Sequence, residues 1–102
     1  MPTLSKDILI SQLKEILPRF PIRKAWLFGS YATGEATPES DIDLLVDYDK
    51  DDNFTLFTIG GIISSISKFL GHSVDVVESG HLLPFANNHV EQTKILIYER
   101  GA

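Results

Sequence analysis

The chain has 102 residues, 43 % of them hydrophobic and 23 % charged, with a formal net charge of −5 and no cysteine. This length predicts one domain over residues 1–102, and the composition excludes a disordered chain. The missing cysteines exclude disulfides, thiolate metal sites and a cysteine nucleophile, and the acidity argues against a chain that binds nucleic acid on its own.

The start, Met-Pro-Thr-Leu-Ser, lacks the basic-then-apolar pattern of a signal peptide. No apolar run approaches the ~18–20 residues of a membrane span. Together these features predict a cytoplasmic protein. The charge is unevenly placed: eight acids and Lys50 between Glu35 and Asp52 give that stretch −7, and the remaining residues sum to +2. A charge run is ordinarily a solvated loop, so a site there has to be argued from its pattern.

Ser5 is placed to cap a first helix, with Leu9, Leu13, Ile16 and Leu17 on one stripe and Pro18 and Pro21 ending it. Ala25 to Phe28 reads as a short buried strand stopped by Gly29, with Trp26 and Phe28 expected in the core. Small and turn-forming residues from Gly29 to Ser40 predict a loop. Asp41 to Asp47 is the second strand.

A second helix, capped near Asp52 or Asn53, carries Ile59, Ile62, Ile63, Ile66, Phe69 and Leu70 at helical spacing. Gly60 and Gly61 inside it point to close packing against a neighbour, since each costs about 1 kcal/mol against alanine. Gly71 ends it. Ser73 to Glu78 is a third strand, followed by a short helix near 84–91. Residues 94–99 form either an edge strand or a last helical turn. The order predicts an α/β (α+β) layer structure with one sheet.

Alternation along a strand puts Asp41 and Asp43 on one face, with Cα atoms roughly 6–7 Å apart, while Ile42, Leu44 and Val46 face the other way. Such a pair can converge on divalent cations, and oxygen-only donors favour Mg²⁺ or Mn²⁺. Gly29 allows close backbone approach and Ser30 offers a hydroxyl and an amide for phosphate. If the first two strands pair antiparallel, both features meet at one sheet edge. Asp75, an acid inside an apolar strand, is the candidate third ligand or general base.

Competing motifs fail. Glu35 and Ala36 stand where a P-loop needs lysine and serine or threonine. Asp47, Asp49 and Asp51 imitate an EF-hand, yet Asp52 replaces its turn glycine and Thr58 its last glutamate. No G-x-S-x-G surrounds Ser30. His72, His81 and His89 lack ligand spacing and read as surface or capping residues, with the relation of His72 to Asp75 left open.

Gly29-Ser30, ten residues, then Asp41-Ile42-Asp43 resembles the signature of the polymerase-β-like nucleotidyltransferase superfamily. The string GSYATGEATPESDIDLLV is similar to its minimal branch, the small nucleotidyltransferases (MNT) encoded beside HEPN-domain proteins in prokaryotes. The resemblance implies that family's fold, a small mixed sheet packed against helices. It implies Asp41, Asp43 and Asp75 as catalytic metal ligands and Gly29 and Ser30 as nucleotide-binding residues, with Mg²⁺ or Mn²⁺ as cofactor and ATP as substrate. It further implies transfer of AMP to a hydroxyl, a tyrosine of a HEPN toxin, by a chain acting as antitoxin. No membrane and no direct nucleic-acid partner are expected, and the oligomeric state stays open. The family commonly carries arginine where Thr33 stands, and Thr33 cannot supply that cation. Two alternatives therefore remain: a catalytically weak module that neutralises its partner by binding, and a nucleotidyltransferase acting on a small antibiotic-type alcohol.

Overall fold

The computed structural model describes residues 5–80 and 84–101. Its elements run α1 (Lys6–Ile16), a 3-10 turn (Leu17–Arg19), β1 (Ile22–Phe28), α2 (Ser30–Thr33), β2 (Ile42–Tyr48), α3 (Leu56–Leu70), β3 (Val74–Glu78), α4 (Pro84–Thr93) and β4 (Ile95–Glu99). The four strands form one mixed sheet in the order β3-β2-β1-β4. β1 pairs antiparallel with both β2 and β4, and β2 pairs parallel with β3 across the α3 crossover. The mixed α+β architecture is the expected one, and residues 95–99 resolve to the edge strand rather than a helical turn.

β2 is the spine. Ile42, Leu44, Val46 and Tyr48 are buried on one face with Leu9, Leu13 and Ile16 of α1 and Ile62 and Ile66 of α3. β1 joins this core in two phases. Ile22 is buried, and so are Ala25 and Leu27, although the interval from 22 to 25 is odd. A register shift between Ile22 and Lys24 accounts for it: the extra residue flips the strand's faces once, so both ends present apolar side chains to the same core. Downstream of that bulge Trp26 and Phe28 fall on the opposite face, where they are only partly buried. The expectation that they belong to the core is corrected; the ammonium of Lys94 lies over the Trp26 ring, 4.4 Å from its centroid.

Three further expectations change. The segment after Gly29 is not all loop, because Ser30 to Thr33 form one helical turn. α3 starts later than Asp52 or Asn53. The Asp51 carboxylate accepts the amide of Asn53 at 2.9 Å and the Asp51 carbonyl that of Phe54 at 3.1 Å, so these residues close their own turn. Thr55 then becomes the cap, its amide donating to Thr58 Oγ1 at 3.1 Å. Finally, Gly60 and Gly61 are exposed, and a Cβ on either would meet nothing within 4 Å. They do not mark close packing. Of the stripe on this helix Ile62 and Ile66 are buried, whereas Phe69 is 38 % exposed.

Because neither glycine serves a contact, Gly60→Ala and Gly61→Ala are each expected to raise stability by about 0.5–1 kcal/mol. Urea denaturation checks this, and a loss of stability in either variant would contradict the open surroundings described here.

Candidate active site

The antiparallel register sets Phe28 opposite Asp43, and the parallel register sets Asp43 opposite Asp75. The end of β1, the start of β2 and the start of β3 therefore share one edge of the sheet. Asp41 lies one residue ahead of β2 rather than within it, and is exposed. Asp75 is exposed as well, while Asp43 between them is partly buried.

Gly29 leaves β1 with φ 74° and ψ −154°, a backbone conformation that side chains rarely tolerate. A Cβ there would collide with the Asp43 carboxylate, whose Cγ would lie 3.1 Å away. The turn and the acid are thus in contact, and only a glycine fits between them. From Gly29 the chain enters α2, where the amides of Ala32 and Thr33 both bond back to the Gly29 carbonyl at 3.0 and 3.1 Å. The amides of Ser30 and Tyr31, ahead of them, have no partner within the turn. Thr33 closes it, with its hydroxyl 2.8 Å from Glu35 and 3.4 Å from the Ser30 carbonyl.

The carboxyl of Asp43 is pushed up from 3.8 to about 6, first by burial and then by the charges of Asp75 and Asp41. Among the described residues none of the three acids makes an ion pair or a side-chain hydrogen bond. Nor do three or more His, Cys, Asp or Glu side chains among them stand close enough to form a metal cage. The arrangement is an open row of like charges against a glycine turn. Its donors are hard carboxylate oxygens, which suit a divalent cation whose remaining ligands come from elsewhere, as is usual for Mg²⁺. A cleft of about 560 Å³ opens beside Asp41, walled by Ser40, Lys68, Gly71 and His72; Asp43 does not line it.

Other charges of the 35–52 run are spent differently. Asp49 pairs with Arg23 and Arg100 at 3.5 and 2.6 Å, Lys50 pairs with Glu78 at 2.7 Å, and Asp51 closes its turn. These contacts belong to a solvated surface, not to an EF-hand. Of the histidines, His89 is exposed, His81 lies outside the described residues, and His72 is turned toward the end of the loop, 2.9 Å from the Ser40 carbonyl.

Two expectations follow from the Gly29–Asp43 contact. Gly29→Ala is expected to cost about 2 kcal/mol or more, combining a strained φ with a steric clash, and thermal or urea unfolding reads it directly. Without a cation, the raised carboxyl of Asp43 stabilises the fold only while protonated. That contribution is complete below about pH 4, where the unfolded chain is protonated too, and is lost as the pH rises through about 6. In chelator, Asp43→Asn is therefore expected to exceed the wild type by about 1–2 kcal/mol at pH 8, allowing for partial solvent screening, and to show no advantage at pH 3. A constant difference across this range would contradict the electrostatic origin.

The nucleotidyltransferase domain family matches residues 9–100. The chain is 33 % identical over 100 residues to MJ1379 of Methanocaldococcus jannaschii, a match covering 95 % of this chain and all of that one. It is 35 % identical over 77 residues to the protein adenylyltransferase MntA of Thermococcus cleftensis, covering 76 % of each. In fold it is similar to a chain from the complex of the tri-AMPylated Shewanella oneidensis HEPN toxin with its MNT antitoxin. That likeness has a TM-score of 0.66 at 16 % identity, over 93 % of this chain and 73 % of the other. With the family matched over almost the whole chain and a relative of full coverage at one-third identity, the chain belongs to the nucleotidyltransferase domain family.

Proposed function

We propose that the chain is a metal-dependent protein adenylyltransferase that transfers AMP from ATP to a tyrosine hydroxyl of a HEPN-domain toxin, and so acts as its antitoxin. The observation that carries this reading is the contact between the Gly29 turn and the unneutralised Asp43 carboxylate. It sets an anion-binding turn beside a group that calls for a cation, which is the pairing a metal–triphosphate substrate satisfies. The name of the Thermococcus relative and the AMPylated toxin of the Shewanella complex support AMP as the group and a HEPN protein as the acceptor.

Asp41, Asp43 and Asp75 would hold Mg²⁺ or Mn²⁺, which when bound supplies charge neutralisation for the triphosphate. Gly29 lets the turn approach the phosphates, and the Ser30 hydroxyl and the first amides of α2 donate to their oxygens. Asp75, exposed on the same edge, would take the proton of the acceptor's hydroxyl. The acceptor oxygen bonds to the α-phosphorus as the bond to the bridging oxygen breaks and pyrophosphate leaves.

The chain is expected to move label from α-labelled ATP to a HEPN-domain partner protein in the presence of Mg²⁺. Asp41→Ala with Asp43→Ala should reduce that transfer by on the order of 10²–10³-fold, and undiminished transfer would refute the reading. A second reading, neutralisation by binding alone, draws on Thr33, whose hydroxyl is engaged with Glu35 where the family resemblance implies an arginine. It is favoured if the double variant still protects cells that express the toxin.

A further inference from the structure

His72 stands at the junction of α3 and β3, directly after Gly71, whose φ is 64°. It is partly buried. Its Nε2 lies 2.9 Å from the carbonyl oxygen of Ser40 and 3.4 Å from the hydroxyl of Tyr31. A carbonyl only accepts, so Nε2 carries the proton and donates to Ser40, with the Tyr31 oxygen as the more distant second acceptor. The two rings meet edge to face at 6.0 Å, and Tyr31 is 3 % exposed.

The next residue repeats the link through the backbone: the Ser73 carbonyl accepts the amide of Ile42 at 3.0 Å. Asp41 is therefore the residue between two hydrogen bonds made to consecutive positions, 72 and 73. The bond downstream belongs to the sheet and follows from the β2–β3 register. The bond upstream depends on one side chain. Ser40 also bonds to Thr37 through its amide at 3.0 Å and its hydroxyl at 2.9 Å, but these bonds are local and travel with the loop. Through Tyr31 the same imidazole touches α2, the helical turn that opens with Ser30.

We propose that His72 is a positioning residue for nucleotidyl transfer. Its Nε2–H fixes the peptide of Ser40, and thereby the direction in which Asp41 presents its carboxylate relative to the Gly29–Ser30 turn. The assignment rests on the transferase reading above. Asp41 itself is exposed and has no side-chain partner among the described residues, so the position of its backbone is the restraint the fold places on where its carboxylate can reach. A histidine that only closed the loop would add stability and leave turnover unchanged.

The test uses the full chain with labelled ATP, Mg²⁺ and the HEPN-domain protein. His72→Ala is expected to lower kcat about 10- to 100-fold while KM for ATP moves less than about threefold, because the Ala32 and Thr33 amides still hold the phosphate turn through the Gly29 carbonyl. His72→Gln sets an amide N–H near the place of Nε2–H and is expected to restore kcat to within about threefold of wild type. Wild-type kcat in His72→Ala overturns the proposal. So does a loss confined to KM, or His72→Gln as impaired as His72→Ala. Amide hydrogen exchange over residues 35–41 reads the same contact without turnover: it should quicken in His72→Ala and stay at the wild-type rate in His72→Gln. Unchanged exchange in His72→Ala overturns the assignment too. Should the wild type transfer no label, the transferase reading falls, and the exchange experiment alone decides whether His72 holds this segment.

Discussion

Everything at this edge of the sheet depends on one carboxylate, Asp43, for which the described residues supply no cation. Asp43 is drawn into partial burial by its place on the central strand, with Asp75 opposite it and Asp41 two residues before it. Removing a charge from water without a partner is unfavourable, and among the described residues no lysine or arginine pairs with it to offset that cost. The adjoining turn is shaped by the same carboxylate. A side chain at Gly29 is shut out because Asp43 fills the space a Cβ would need, and the positive φ there is one that glycine adopts freely. The acid and the turn fit one another, and the fold holds both against the electrostatic preference for separation.

That holding is done by the opposite face of β2. Ile42, Leu44, Val46 and Tyr48 bury themselves against α1 and α3, and strand periodicity then leaves Asp43 no choice but the other side. Leu45, also on that other side, is 1 % exposed, so β2 is anchored on both faces around its acid. Apolar burial of this extent contributes far more than the repulsion among three carboxylates removes. The site is thus a local strain carried by a core that does not share it.

The helices and strands were legible because their periods are long enough to read: the α1 stripe, the isoleucines of α3, and the alternating Asp-Ile-Asp-Leu of β2. The single turn of α2 was not, since four residues hold no period. The late start of α3 was hidden because Asp51 can cap a helix or close its own turn, and only the folded chain shows the second. Trp26 and Phe28 were misplaced for a different reason, as their face depends on an extra residue three or more positions upstream that hydrophobicity does not reveal. At the site, Gly29, Ser30, Asp41 and Asp43 stood out by spacing. The touching of Gly29 and Asp43, and the facing of Asp43 and Asp75, needed two strand registers that no local pattern encodes. His72 escaped notice as a site residue because its partner is a backbone carbonyl thirty-two positions away.

The bulge in β1 has a consequence for how this chain tolerates change. It divides the strand into two frames, and everything after it, the Gly29 turn included, is set in the second. The strand thus holds one residue more than its pairing with β2 requires, and a one-residue deletion between Arg23 and Phe28 would be absorbed by closing the bulge. Ile22 would still pair with Tyr48 and Phe28 with Asp43, so the Gly29 turn would keep its side of the sheet. The side chains between the bulge and the deletion would exchange faces, so a deletion at Arg23 disturbs the core least, and an insertion has no such slack to draw on.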